Sequence, residues 1–104
     1  MAYLIHLWHG HECWRCGQPG RVLLVFDNHG YGNSYIEEDK LGEAIRNKYP
    51  FFSPSYSATM EMVYYANHCE NALCGVLQGD HYVLEWTMSN EKYDKPDVVE
   101  KVRR

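Results

Sequence analysis

The chain has 104 residues, is 45% hydrophobic and 14% aromatic, contains nine tyrosines and carries a formal net charge of −4. That length suits one domain with a modest core, and the composition is too apolar and ring-rich for a disordered chain. A nucleic-acid binder needs a basic stripe to neutralise phosphates, yet no Lys or Arg lies between Lys48 and Lys92, whereas Glu61, Glu70, Asp80 and Glu85 do.

The N-terminal MAYLIHLWHGHE lacks a basic leading region, and its apolar run breaks at His6. The expectation is a cytoplasmic protein with neither a secretory signal nor a membrane span. Residues 3–8 (YLIHLW) and 21–27 (RVLLVFD) read as strands, the second closed by the Asn28-His29-Gly30 turn signal, and they pair as a hairpin with a cysteine-containing turn at its tip. Residues 30–35 (GYGNSY) read as an exposed loop whose Gly-x-Gly lacks the third glycine and following helix of a phosphate cradle. Residues 37–48 (EEDKLGEAIRNK) predict a helix, with acids first and bases last as the helix dipole favours; Leu41 and Ile45 dock it on the sheet and Pro50 ends it.

Residues 51–59 (FFSPSYSAT) read as an irregular connection turning into a short strand near Tyr56, and residues 61–67 (EMVYYAN) as a strand running into Cys69. After the Gly79-Asp80 turn pair, residues 81–88 (HYVLEWTM) alternate in a way that predicts a further strand, completing a second hairpin. The reading is a β-rich α+β domain over residues 1–88, two hairpins with one packed helix. Residues 89–104 form a polar tail, either a short helix after Pro96 or disordered.

The four cysteines fall in two close pairs, which in a reducing compartment read as metal ligands, with disulfides as the alternative. Both pairs end in Cys-Gly: Cys13-Trp14-Arg15-Cys16-Gly17 and Cys69-Glu70-Asn71-Ala72-Leu73-Cys74-Gly75. A glycine at that point permits φ > 0, so the turn can curl its N–H groups towards the thiolates. Cys13, Cys16, Cys69 and Cys74 are therefore the predicted ligands of one structural Zn²⁺, whose loss would unfold much of the domain. A thioredoxin-like role for Cys13 and Cys16 would need a helix from the second cysteine, which Gly17-Gln18-Pro19-Gly20 cannot continue.

In an extended segment His9, His11 and Cys13 share one face, and His68 abuts Cys69, so His11 or His68 is the candidate to replace a thiolate. The looser second pair predicts a wider turn, with residues 70–73 bulging outwards and one fewer N–H···S contact than in the first.

CWRCG followed by YYANHC and CGVLQGD resembles a group of small prokaryotic and phage zinc-ribbon-like proteins, in which a CWKCG-type knuckle precedes a YYANHCPHCG-plus-LQGD-type knuckle. The similarity spans residues 8–84. It implies a zinc ribbon with Cys13, Cys16, Cys69 and Cys74 as ligands and carries no activity. This chain departs from the pattern in having four residues, 70–73, where two are usual.

Four protein thiolates close a zinc shell, leaving no position for a reacting water, so the metal reads as structural and the protein as not an enzyme. The zinc-deaminase signature fails on order, because His11-Glu12-Cys13 is contiguous and no proline precedes Cys13. Asp27, Asn28 and His29 could act in acid–base chemistry or simply make a turn.

Tyr49, Phe51, Phe52, Tyr56, Tyr64 and Tyr65 crowd the span free of basic residues, as ordinary core and surface rings or as a protein-binding surface. Adjacent Tyr64 and Tyr65 must point to opposite faces, one into the core and one outwards. The expected function is a zinc-stabilised, protein-binding module with an acidic, aromatic surface. Two alternatives are a nucleic-acid-associated ribbon using Arg15, Arg21, Lys101, Arg103 and Arg104, and a small acidic inhibitor that occupies the basic groove of a nucleic-acid-binding machine.

Overall fold

The structure, a computed structural model, describes residues 2–27, 30–31, 36–37, 39–58, 61–89 and 95–103. Strands β1 (Ala2–Glu12) and β2 (Pro19–Asp27) form the expected hairpin, with Leu4 opposite Phe26 and Trp8 opposite Val22. The pairing then shifts so that His11 faces Gly20, which places one extra residue on β1. Gly10 absorbs it at φ 76°, a left-handed conformation that costs glycine little. Because side chains alternate along a strand, this bulge reverses the facing of everything after it. His9 is exposed while His11 is buried on the same side as Trp8, so the shared face expected for His9 and His11 does not form.

Two further strands complete the first sheet. The short β3 (Gly30–Tyr31) pairs with the end of β2, and β7 (Val98–Arg103) pairs antiparallel with β1 from Ala2 opposite Arg103 to Leu7 opposite Val98. The sheet order is β3-β2-β1-β7. The tail expected to be helical or disordered is thus an edge strand over these residues. Asp97 fastens its start, through its backbone N–H to the Leu7 carbonyl and its carboxylate to the His9 N–H.

Alternation along β1 and β2 gives the sheet two apolar faces. Tyr3, Ile5, Leu7, Leu23 and Val25 meet helix α1 (Lys40–Lys48) through Leu41 and Ile45, together with Phe52 and Tyr65 of the second sheet. The Asp39 side chain caps α1 by accepting from the Gly42 N–H at 3.0 Å. Gly42 is required inside this helix because a Cβ there would collide with the Glu37 carbonyl oxygen. On the opposite face Trp8, Val22 and Leu24 pack with Val83, and Leu84 and Trp86 lie against them.

Those last three residues belong to a second helix, α2 (Asp80–Ser89), where a strand was expected. An eight-residue run can satisfy both periods. At helical spacing, Val83 and Thr87 are buried together and His81 pairs with Glu85 at 2.9 Å, so packing decides for the helix. The second sheet, β4 (Phe52–Ser57), β5 (Met62–His68) and β6 (Leu77–Gln78), has the order β4-β5-β6. Its last member pairs only through Asn67 with Gln78 and His68 with Leu77, so the second hairpin is far shorter than the first. The result is a strand-rich α+β fold with two packed helices among the described residues rather than one. None of their helices is long and apolar enough to cross a membrane.

Candidate metal centre

The first knuckle closes the β1–β2 hairpin. Cys13 N–H donates to the Gln18 carbonyl at 3.1 Å and Gly17 N–H to the Cys13 carbonyl at 2.9 Å, with Gly17 at φ 73°. The curl aims the N–H groups of Arg15 and Cys16 at Cys13 Sγ, at 3.4 and 3.5 Å. Trp14 locks the tip by donating its indole N–H to the Leu77 carbonyl across the cleft, at 2.8 Å.

The second knuckle repeats this turn with a substitution. Gly75 N–H and Cys74 N–H both donate to the carbonyl of Asn71, at 3.0 and 2.9 Å, and Gly75 has φ 64°. Asn71 therefore stands where the first knuckle has Cys13. Its Oδ1 even accepts from the N–H two residues on, that of Leu73 at 3.1 Å, as Cys13 Sγ accepts from Arg15. Cys69 lies two residues upstream, at the end of β5, with its backbone N–H on the Val76 carbonyl and the Asn71 N–H directed at its thiol. The outward bulge is real for Leu73, 97% exposed, but not for Glu70, which folds back onto the first hairpin.

The two turns bring the four sulfurs together. Cys13 Sγ is 3.8 Å from Cys74 Sγ, Cys16 Sγ is 3.6 Å from Cys69 Sγ, and all four lie within 4.8 Å of one another. Metal–sulfur bonds of about 2.3 Å in a tetrahedron place sulfurs about 3.8 Å apart, so the spacing fits one ion. All four cysteines are free rather than disulfide-bonded. Their acidities point the same way. Burial alone would raise the Cys13 thiol, but the N–H groups of Cys16 and Arg15 and the neighbouring sulfurs of Cys69 and Cys16 outweigh it and draw it down to about 6. Burial pushes the Cys69 thiol up, the Asn71 N–H offsets only part of this, and the adjoining sulfurs take it to about 12. Four sulfurs this close cannot all ionise without a cation between them.

No family model, curated protein or solved structure matches this chain.

Neither candidate histidine joins the cluster. His68 directs Nδ1 at the Phe51 carbonyl and Ser53 Oγ, both at 3.3 Å, and His11 is 2% exposed with Nε2 3.0 Å from Gln78 Oε1. Burial lowers the His11 pKa, which its bond with Gln78 and the nearby Glu12 carboxylate only partly oppose. Asp27 ends β2, while Asn28 and His29 lie outside the described residues.

Several residues that support the centre carry no motif of their own. Asn67, fully buried, accepts from the Leu23 N–H and donates to the Leu23 carbonyl, both at 2.8 Å, so its amide imitates a strand and ties the second sheet to β2. Glu70 accepts from the Arg21 backbone N–H at 2.6 Å and from its guanidinium at 3.0 to 3.3 Å, and that guanidinium lies 5.0 Å from the centre of the Phe51 ring. Asn67 is a buried amide in an apolar strand, YYAN, which is the one signal that could have marked it.

Proposed function

We propose that the chain is a non-enzymatic, zinc-stabilised module that binds another protein through the far end of its β4–β5 hairpin. Zinc is the natural ion for four thiolates at tetrahedral spacing, and four such ligands leave no position on the metal for a substrate. The metal's work is then to hold two sheets together.

The observation that carries the binding surface is a gradient along one hairpin. At its base, Phe52 opposite Asn67 is fully buried, and Tyr65, opposite Pro54, is buried too. On the same face, two residues further out, Tyr56 opposite Val63 is 64% exposed and Val63 58%. Met62, on the opposite face, is also exposed, and Glu61 brings an acid to the turn in left-handed backbone at φ 52°. An apolar face that runs out of the core without cover, at the end of two strands, is suited to a partner. Two of the basic groups are less available for phosphate, since Arg21 is held by Glu70 and Lys48 by Glu100.

Two measurements test this. Native mass spectrometry with metal analysis should find one zinc per chain; a metal-free chain two or four protons lighter would mean disulfides instead. A photo-crosslinking residue in place of Tyr56 should capture a discrete protein in cells, and one in place of exposed Glu43 should not. Equal capture from both positions, or retention on nucleic acid that falls steeply with salt, would count against the proposal.

A further inference from the structure

The LQGD stretch places Gln78 at the end of β6, 1% exposed, between two partners from β1 and its knuckle. Its Nε2 lies 3.2 Å from Cys13 Sγ and 3.3 Å from the Val76 carbonyl, and its Oε1 lies 3.0 Å from His11 Nε2. The chemistry of the partners fixes the direction of each bond. A thiolate and a carbonyl can only accept, so both amide protons point to Cys13 and Val76. The amide oxygen is left for His11, which must donate from Nε2.

His11 is itself held in place. Tyr82 and Trp86, one turn apart on α2, meet its ring edge-on, with centroids 5.2 and 4.7 Å away. The Tyr82 hydroxyl donates to the Glu12 carbonyl and pins α2 beside it. His11 Nδ1 has no hydrogen-bond partner among the described residues, so the ring's one polar attachment is to Gln78. The cavity bounded by His11, Cys13, Arg21, Cys69, Glu70 and Gln78 measures only about 10 Å³. That is room for at most one water, so the Cys13 sulfur draws its solvation from protein N–H groups.

We propose that Gln78 and His11 are positioning residues of the metal centre: His11, clamped by α2, orients the Gln78 amide, and Gln78 supplies the third N–H donor to Cys13. Arg15 and Cys16 supply the other two. The pair makes Cys13 the most heavily hydrogen-bonded sulfur, with its charge withdrawn from the metal, and it couples helix α2 to the centre without α2 carrying a ligand. The proposal rests on reading the four-cysteine cluster as a metal centre.

The test loads the full chain with Co²⁺ and compares wild type with Gln78→Met, which keeps the length and removes the donor, and with His11→Phe, which keeps the ring and removes the orienting N–H. With one metal bound per chain, Gln78→Met should move the sulfur-to-cobalt charge-transfer band to lower energy, because the sulfur regains electron density. It should also weaken metal binding about 10- to 100-fold. His11→Phe should act in the same direction by a few-fold. A lower melting temperature with the band unmoved would show a packing role only and overturn the proposal.

Wild type that takes up no metal would overturn the reading of the centre itself and the proposal with it. Should either variant fail to fold, the ¹¹³Cd-loaded wild type decides: a scalar coupling between the metal and a Gln78 side-chain amide proton is expected. Its absence, where the Arg15 or Cys16 amide shows one, would overturn the proposal.

Discussion

The two knuckles make the same turn from different residues. Each ends in a cysteine followed by a left-handed glycine whose N–H closes on the carbonyl four residues back. In the first that carbonyl belongs to a cysteine of the four-sulfur cluster, Cys13, and in the second to Asn71. The backbone turn and the ligand pair are therefore separable. Where the first knuckle uses one residue both to accept the turn's hydrogen bonds and to present a sulfur to the cluster, the second gives the first task to Asn71 and the second to Cys69, two residues earlier. Their supports differ as well: the first caps strands of eleven and nine residues, while the second lies between β5 and the two-residue β6.

That difference in support sets the largest expected effect. A structural metal in a small domain contributes on the order of 10 kcal/mol, comparable with the stability of the whole. Chelation should thus lower the denaturation midpoint sharply, and the loss should be uneven. The first knuckle keeps its long hairpin, whereas the second keeps two backbone pairs with β6 and side-chain ties, among them the Asn67 tether and the Glu70 clasp to Arg21. In hydrogen exchange after chelation, amides of residues 69–78 should lose protection before those of residues 13–20. Simultaneous loss in both would show that the metal alone holds each turn.

The separability of turn and ligand can be broken directly. Cys69→Ser should abolish tight metal binding, since it removes one of four sulfurs. Adding Asn71→Cys to that variant should restore one metal per chain, because Asn71 already occupies the first-cysteine place of the turn and its Nδ2 lies 3.8 Å from Cys16 Sγ. If the double variant stays metal-free in a cobalt titration, Asn71 only looks like the counterpart of Cys13. A third change acts on the base of the second knuckle. Asn67→Ala would leave the buried N–H and carbonyl of Leu23 unpaired, at about 1–3 kcal/mol for each group, and urea unfolding of the metal-loaded chain should register the sum.

How far each half could be read from the sequence follows from the same contrast. The first hairpin and its knuckle are local: dense β-formers flank a short Cys-x-x-Cys-Gly, and the expected hairpin forms, with strands that run longer than residues 3–8 and 21–27, to Ala2–Glu12 and Pro19–Asp27. All four cysteines were legible because Cys-Gly pairs announce themselves at any spacing. What escaped depends on distant partners. Residues 81–88 fit a strand or a helix until the outer face of the first sheet selects the buried pair Val83 and Thr87. The polar VVEKVR is unremarkable as sequence and becomes a strand because the edge of β1 is open to it. Gly10 gives no sign that it inserts a bulge, and this one residue undid the grouping of His9 with His11. Asn71 and Gln78 are ordinary turn and strand-end residues until the sulfurs they serve are placed beside them.

The smallest effect concerns the clasp between the knuckles. Glu70, the first residue of the widened spacing, accepts three kinds of N–H from Arg21 and so joins the second knuckle to β2 apart from any metal. Burial tends to raise its carboxyl pKa, but the Arg21 side-chain and backbone hydrogen bonds hold it below the usual carboxylate range. Both side chains are about one-third exposed, at 34% and 30%, so solvent screens much of the attraction. Glu70→Gln should accordingly cost no more than about 1 kcal/mol in urea unfolding of the metal-loaded chain. The amide keeps one oxygen for the Arg21 N–H, so most of the clasp's geometry should survive. After chelation the same substitution should matter more, because the clasp and Asn67 are then among the few ties left to the second knuckle. An equal cost with and without metal would show that Glu70 decorates the junction, and that the extra residues of the second knuckle do no more than lengthen it.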